Sequence, residues 1–287
     1  MKIAILSGKG GTGKTLCAVN LAAVSPGSIY VDCDIEEPDG HLFFKPKTIQ
    51  SEKVTVFFPK INALLCNGCR QCVDFCRFNA LAMVHNCITV FPEVCHACGG
   101  CAIICPVLAI SDSRLEIGVI DDGTVSAIRI ISGTLNPGRE SGVPIINKMA
   151  KMIENTQDLV FIDCPPGSSC ATVESIRIAD FCILVTEPTR FGAHDLEMVH
   201  ELIISENKPC AAILNKIDSS DDPSETYCIE KGIPIMGKIP YDPELGRINS
   251  EGLVAAWEKE SYKIQFAKIL SRIIEEASHE TVANPKR

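Results

Sequence analysis

The chain has 287 residues, of which 46% are hydrophobic and 22% are charged, and its formal net charge is −9. This composition excludes wholesale disorder, the absence of an apolar run near ~18 residues excludes a typical membrane span, and the acidic balance argues against a general nucleic-acid binder. The beginning, MKIAILSGKGG, predicts no signal peptide, so we expect a cytoplasmic protein.

The first predicted elements are a strand at 3–6, a glycine-rich loop, a helix at 15–24 and a second strand at 28–31. The same alternation returns later in the chain. Strands are predicted at 158–162, 181–185, 210–214 and 234–239, and helices at 141–155, 170–179, 191–206, 222–231 and 260–278. The pattern predicts an α/β fold with a doubly wound, mostly parallel sheet covered by helices on both faces. Residues 279–287 are expected to be a frayed tail.

Residues 59–115 interrupt this alternation. They hold nine of the sixteen cysteines, which in a chain without a secretory signal favours metal ligation over disulfides. CNGCRQCVDFCRFNAL (66–81) and CHACGGCAIICPVLAI (95–110) align at an offset of 29 residues, with all four cysteines superposed. We therefore predict a small, duplicated α+β domain at 59–115. It is inserted between the two parts of the α/β domain, 1–58 and 116–287.

Each copy has the spacing C-x₂-C-x₂-C-x₃-C, which is the bacterial ferredoxin pattern. In that pattern three close thiolates hold one [4Fe–4S] cluster and the fourth crosses to the other. One predicted cluster is held by Cys66, Cys69, Cys72 and Cys105, and the other by Cys95, Cys98, Cys101 and Cys76. A zinc ribbon would use pairs of cysteines rather than two runs of four. The pattern departs from its usual form at Arg77, where a proline normally follows the fourth cysteine.

The glycine-rich loop matches the phosphate-loop pattern G-x-x-x-x-G-K-[ST]. It consists of Gly8, Lys9, Gly10, Gly11, Thr12, Gly13, Lys14 and Thr15. Backbone N–H groups of such a loop surround the β-phosphate, and its final lysine and hydroxyl reach the phosphates and Mg²⁺. These last two roles fall to Lys14 and Thr15.

The additional lysine at Lys9 gives the pattern KGG-x-GK[ST], which resembles the deviant Walker A loop of the MinD/ParA/Mrp/nitrogenase-iron-protein class. The resemblance implies that Lys9 contacts the nucleotide of a partner subunit, so that two nucleotides lie in the interface of a dimer. A homodimer and a heterodimer with a paralogous ATPase are both open.

The same resemblance implies roles for acidic residues that end two of the predicted strands. Asp34 would position or deprotonate the attacking water, Asp32 would lie near the Mg²⁺ shell, and Asp39 would share their mobile loop. Asp163 resembles the Walker B aspartate that holds Mg²⁺ through water. In the switch II sequence Pro165-Pro166-Gly167, the Gly167 N–H would sense the γ-phosphate.

Two sequences are candidates for contact with the base. Asn215-Lys216-Ile217-Asp218 matches N-K-x-D, with which GTPases read guanine, and by itself it would suggest GTP. The resembled class carries an asparagine here that contacts adenine. IPYDPEL (239–245), with Pro240, resembles its second base-contacting loop. We therefore expect ATP with Mg²⁺.

Together, 1–45, 59–120 and 158–246 resemble MinD-superfamily P-loop ATPases with an inserted ferredoxin domain. Three functions are open: an ATP-driven electron carrier, an iron–sulfur scaffold of the Mrp type, and a MinD/ParA-like redox-sensing switch. An unidentified redox or acceptor protein is the expected partner, and neither nucleic acid nor a membrane is. Cys170 lies where the nitrogenase iron protein has a ligand to a bridging cluster. A second such ligand is not evident between residues 116 and 154, so structural or redox-sensitive roles for Cys164 and Cys170 are favoured, and a bridging cluster is the alternative.

Overall fold

The computed structural model describes residues 1–85, 87–218 and 222–283. Its strands are β1 Lys2–Leu6, β2 Ile29–Asp32, β3 Ile49–Val56, β4 Pro59–Ile61, β5 Leu81–Val84, β6 Cys87–Val90, β7 Ile110–Asp112, β8 Leu115–Val125, β9 Ile128–Leu135, β10 Val160–Asp163, β11 Phe181–Thr186, β12 Cys210–Ile217 and β13 Ile235–Pro240. Its helices are α1 Lys14–Ala23, α2 Gly40–Phe44, α3 Gln71–Phe75, α4 Gly100–Ile103, α5 Val143–Met152, α6 Cys170–Ile178, α7 Arg190–Ser205, α8 Pro223–Lys231, α9 Pro243–Ser250, α10 Ala255–Glu258 and α11 Glu260–Ala283. None of the helices in these ranges is long and apolar enough to cross a membrane.

The main sheet has nine strands in the order β13-β12-β11-β1-β10-β2-β9-β8-β3. The first seven in this order run parallel. At one edge β8 is antiparallel to β9, and β3 is antiparallel to β8. The α/β fold with a large, mostly parallel sheet is therefore confirmed.

Helices cover both faces of this sheet because successive side chains of a strand point to opposite sides. In β1, Ile3 and Ile5 pack into the hydrophobic cluster that also contains Phe266 of α11. Ala4 and Leu6 pack into the opposite cluster, with Ile176 of α6. Burial on both faces explains why the central strands are almost continuously apolar.

Two features of the α/β part differ from the expectations. The long C-terminal helix α11 continues to Ala283, because residues 274–283 are mostly good helix formers whose apolar face extends to Ala277. Helical residues thus replace the frayed tail expected at 279–283, and 284–287 lie outside the described residues. Strands β3, β8 and β9 were not predicted. In the hairpin between the last two, Ser126 and Ala127 both have positive φ, as a tight two-residue turn requires.

Between β3 and β8 the chain leaves the main sheet. It forms two small antiparallel sheets, one pairing β4 with β7 and the other pairing β5 with β6. This segment has a hydrophobic cluster of its own, whose buried members include Leu81, Ala109 and Ile110. The cysteine-rich residues are therefore held outside the main sheet, on the side of its antiparallel edge.

Candidate functional site

The phosphate loop joins β1, at the centre of the sheet, to α1. Gly11 and Gly13 have φ of 82° and 96°, values that favour glycine. A Cβ on Gly13 would also lie 2.2 Å from Nδ2 of Asn215, so this position has room only for glycine. No side chain caps the N-terminus of α1. Its first N–H groups are therefore available to an anion, which is the arrangement that binds phosphate.

Lys14 lies almost completely buried below the loop, among carboxylates. Its Nζ is 2.8 Å from Oδ1 of Asp163 and 3.7 Å from Oδ2 of Asp34. Burial by itself would lower the pKa of Lys14, but the attraction of Asp163 and Asp34 holds it above its ordinary value. The lysine therefore stays protonated and can neutralise either a carboxylate or a phosphate.

The aspartates of β2 and β10 lie side by side, because Asp32 and Asp163 pair in the parallel register. Both are fully buried. The Asp32 carboxylate accepts hydrogen bonds from the N–H groups of Asp34 (3.1 Å) and Gly40 (2.9 Å). Tyr30 donates its hydroxyl to Oδ2 of Asp163 at 2.9 Å. The structure thus brings the two predicted metal-site aspartates together and fixes each by hydrogen bonds.

Burial also shifts the titration of this group. It raises the pKa of Asp32 well above its ordinary value, and neighbouring Asp163 adds to the effect. Burial raises the pKa of Asp34 to about 6, although Lys14 opposes the shift. The pKa of Asp39 is raised as well, again by burial first, while a hydrogen bond with Thr15 lowers it. Because a bound cation would relieve this accumulation of carboxylates, the donor set fits Mg²⁺.

Lys9 does not extend away from the chain. Its ammonium group contacts the carboxylate of Glu187, which follows β11. Glu187 also lies 3.5 Å from Nζ of Lys216, and Lys216 donates to the carbonyl of Gly11 at 2.6 Å. Glu187 belongs to none of the motifs that the sequence singles out. Its position after a strand adjacent to β1 is the signal that could have identified it.

Asn215, which is predicted to contact adenine, donates its side-chain amide to the carbonyl of Thr12 at 2.7 Å and is almost fully buried. Its place in this structure is therefore that of a tether for the phosphate loop. Pro240 pairs with Ile217, and Asp218 follows that pair as an exposed residue. The two predicted base-contacting sequences thus meet at the same end of the sheet.

Gly167 has a φ of 77° and donates its N–H to the carbonyl of Ser7 at 3.0 Å. It therefore lies directly beside the phosphate loop. In the same segment Cys164 is fully buried, whereas Cys170 is exposed at the beginning of α6.

The 29-residue repeat of the cysteine-rich segment is present in its backbone. Four pairs of residues related by this offset have positive φ: Gly68 and Ala97, Arg70 and Gly99, Asn79 and Leu108, and His85 and Arg114. The hydrogen bonds repeat too. Ala80 N–H lies 3.4 Å from Sγ of Cys76, and Ala109 N–H lies 3.3 Å from Sγ of Cys105. The first half of the segment, with β4 and β5, and the second half, with β6 and β7, therefore have matching local structures. Each small sheet pairs one strand from each half.

Each predicted cysteine quartet surrounds one cavity. A cavity of about 210 Å³ is lined by Cys76, Cys95, Cys98 and Cys101. A smaller one of about 10 Å³ is lined by Cys66, Cys69, Cys72 and Cys105. In both, three cysteines come from one run and the fourth from the other. Within the described ranges, no three Cys, His, Asp or Glu side chains converge on a position that could hold a single metal ion.

Burial makes several of these thiols weaker acids. It raises the pKa of Cys72 and Cys95, and that of Cys101 to about 11. Cys105 adds to the shift of Cys72, and Cys76 adds to that of Cys95, which reflects the proximity of each crossing cysteine to the other run. A metal that binds these sulfurs would have to displace their protons.

Comparisons with known proteins identify relatives in sequence and in fold. The uncharacterized protein MJ0578 of Methanocaldococcus jannaschii is 31% identical over 254 residues, which cover 86% of this chain and 87% of that protein. The cell division ATPase MinD of Pyrococcus furiosus has a similar fold, with a TM-score of 0.60 at 18% identity, over 96% of this chain and 98% of that one. MinD of Pyrococcus horikoshii, in complex with Mg-ADP, superposes with a TM-score of 0.58 at 19% identity, over 94% and 93%.

These likenesses to solved structures concern the fold. The family itself is shown by the sequence, because the CobQ/CobB/MinD/ParA nucleotide-binding domain matches residues 3–255, which include both the phosphate loop and the cysteine-rich segment. With its loop, its paired aspartates and its parallel sheet in the arrangement described above, the chain belongs to the CobQ/CobB/MinD/ParA nucleotide-binding domain family.

Proposed function

We propose that this protein binds and hydrolyses ATP and carries two [4Fe–4S] clusters, and that nucleotide-driven closure of a dimer is coupled to electron transfer through them. The observation that carries the proposal is the meeting of two complete cysteine quartets, each around its own cavity. In this proposal 1–58 and 116–287 form the ATPase domain, and 59–115 form the inserted ferredoxin-like domain.

The nucleotide part rests on the phosphate loop. Lys14 would exchange its carboxylate partners for the β- and γ-phosphates, and Thr15 with Asp163 and Asp32 would hold Mg²⁺. Oδ2 of Asp34 lies 3.7 Å from Nζ of Lys14, close enough to the phosphates that Lys14 would bind for Asp34 to position the attacking water. Adenine is favoured because MinD of Pyrococcus horikoshii was solved with Mg-ADP. The tether from Asn215 to Thr12 would keep the loop in its phosphate-binding conformation.

The arrangement of the cysteines favours iron–sulfur cubanes over a single ion, and the quartet around the cavity of about 10 Å³ would have to open to admit its cluster. In a cubane each of four thiolates binds a different iron, so the four sulfurs need not converge on one point. When bound, such a cluster supplies a one-electron centre. The N–H groups of Ala80 and Ala109, directed at Cys76 and Cys105, would stabilise thiolates in the crossing positions.

A short path of contacts connects the two parts. Ile35, next to Asp34, accepts a hydrogen bond from Leu135 N–H at 2.7 Å and packs against Gly142. The residues that follow, 143 and 144, line a cavity of about 160 Å³ together with Cys95 and His96. Movement of the Asp34 loop on nucleotide binding would therefore reach the surroundings of the second cluster.

The clusters are tested by anaerobic reconstitution, with iron analysis and electron paramagnetic resonance. We expect about eight irons per chain for the unmodified protein and about four for either Cys76→Ser or Cys105→Ser. Cys87→Ser is the matched control, because Cys87 is an exposed cysteine of the same segment that lines neither cavity. A colourless, iron-free protein after reconstitution would overturn the proposal.

Coupling is tested by voltammetry of Asp34→Asn, which is expected to bind ATP without hydrolysing it. A coupling free energy of about 3 kcal/mol would shift a one-electron potential by roughly 130 mV. Equal potentials with and without ATP would refute coupled electron transfer. Transfer of iron and sulfur to an apo-acceptor would then favour a scaffold, and ATPase activity that depends on cluster oxidation would favour a regulatory switch.

A further inference from the structure

The ion pair between Lys9 and Glu187 lies within one chain, although Lys9 is the lysine expected to reach a partner subunit. The Lys9 side chain is 36% exposed and the Glu187 side chain only 15% exposed. The carboxylate is therefore part of the folded framework after β11, whereas the lysine is the member that can move. Thr189 stabilises this position, since its hydroxyl lies 3.4 Å from Oε1 of Glu187.

We propose that Glu187 is the intramolecular counter-ion that retains Lys9 on its own subunit until a nucleotide-loaded partner subunit offers phosphate oxygens in its place. This inference rests on the nucleotide-dependent dimer of the proposed function. It makes Glu187 a positioning residue, which acts through Lys9 and does not touch the nucleotide.

Lys216 makes such an exchange possible. Its Nζ lies 3.5 Å from the Glu187 carboxylate and donates a hydrogen bond to the carbonyl of Gly11 at 2.6 Å. This second contact does not involve Lys9, so it keeps Lys216 near Glu187 when Lys9 leaves. Without Lys216, departure of Lys9 would leave a largely buried carboxylate unpaired, which is costly. Burial would raise the pKa of Glu187, but Lys9 and Lys216 together hold it below its ordinary value, so the carboxylate is ionised while both lysines are in place.

The test measures the dimer dissociation constant of the full-length, cluster-loaded protein by analytical ultracentrifugation, with Mg²⁺ and a non-hydrolysable ATP analogue. Glu187→Gln removes the charge and keeps the shape. Partly exposed ion pairs contribute modestly to stability, and formation of a dimer breaks two of them. We therefore expect the dimer dissociation constant of the variant to be about 10-fold lower, equivalent to about 1.4 kcal/mol. The effect should be smaller at high salt.

We call the ion pair of Lys9 with Glu187, in its proposed role as a brake on dimerisation, the latch. Two controls separate this role from a general structural effect of the Glu187 substitution. Glu206→Gln removes a glutamate that pairs with Arg177 at the opposite end of α7, and it is expected to leave the dimer unchanged. In the background Lys9→Gln, adding Glu187→Gln is expected to have no further effect, because the latch acts only through Lys9. A structural role would shift the constant in both backgrounds.

Equal or weaker dimerisation of Glu187→Gln, with a wild-type protein that does dimerise, would overturn the latch and leave the proposed dimer intact. Absence of a dimer in both proteins would instead overturn the dimer and the latch together. If Glu187→Gln does not fold, Glu187→Asp takes its place. It draws the charge back by one methylene group and is expected to tighten the dimer about 3-fold, and an unchanged constant would again refute the latch.

Discussion

Gly142→Ala is expected to destabilise the protein through one identifiable contact. Gly142 precedes α5 with φ of −94° and ψ of 0°, a conformation that alanine can adopt. A Cβ at this position would lie 1.7 Å from Cδ1 and 3.0 Å from Cγ1 of Ile35. Ile35 is 2% exposed, and its Cγ2 lies close to Gly133, so it has little room to retreat.

The magnitude follows from two opposing effects. Inserting a methyl group into a packed core costs ~1–3 kcal/mol. Replacing glycine by alanine also restricts the unfolded chain, which stabilises the folded state by ~0.4–1 kcal/mol. The free energy of unfolding is therefore expected to fall by ~1–2 kcal/mol. Since Ile35 follows Asp34, we also expect ATP hydrolysis to slow more than nucleotide binding weakens.

Urea unfolding, followed by the fluorescence of Trp257, the single tryptophan, measures this change. Ile35→Val removes Cδ1, the atom in the closest contact, at an expected cost of ~0.5–1.5 kcal/mol. The double variant is expected to be more stable than the sum of the single changes by ~1 kcal/mol. Gly246→Ala is the matched control: it lies within α9 with no atom within 4 Å of the added Cβ, and should be neutral or stabilising.

Strict additivity of Gly142→Ala and Ile35→Val would refute the reasoning, because the two changes would then share no contact. A Gly142→Ala variant as stable as the wild type would have the same consequence, since the added methyl group would have met no resistance.

Three further predictions concern the buried aspartates of the nucleotide site and the cysteine-rich segment. In the nucleotide-free protein, the raised pKa of Asp34, about 6, means that folding takes up a proton between about pH 4 and 6, so the free energy of unfolding falls as the pH rises through this range. Urea midpoints should therefore show Asp34→Asn more stable than the wild type at pH 7 but not at pH 4, and an equal difference at both would contradict the shift. Tyr30→Phe removes the donor to buried Asp163 and should cost about 2 kcal/mol in the same assay, whereas no loss would exclude that bond. Iron chelation should make 59–115 sensitive to protease while the emission of Trp257 stays constant, and protection of that segment in the iron-free protein would show that it folds without clusters.

Much of the fold follows from local sequence. The strands near the centre of the sheet are buried on both faces, so their continuous apolar runs identify them without knowledge of their neighbours. The edge strand β3, with sequence IQSEKVTV, is mostly exposed and partly charged. Such a strand forms because β8 offers it hydrogen-bond partners, and nothing in its own sequence requires it.

The sites divide in the same way. The phosphate loop is a contiguous stretch of sequence that precedes a helix, and it needs glycine at fixed positions. The sequence by itself therefore determined the position of this loop. The spacing of the two cysteine runs likewise sufficed to predict the two quartets. In the structure, β4 pairs with β7 and β5 pairs with β6, so that each small sheet joins the two halves of the segment and brings each crossing cysteine to its quartet. Only the tertiary structure decided that Tyr30 holds Asp163, that Asn215 holds the loop, and that Glu187 pairs with Lys9. The carboxyl ends of parallel strands meet at one edge however far apart they lie in the chain, and no local pattern records which side chains face each other there.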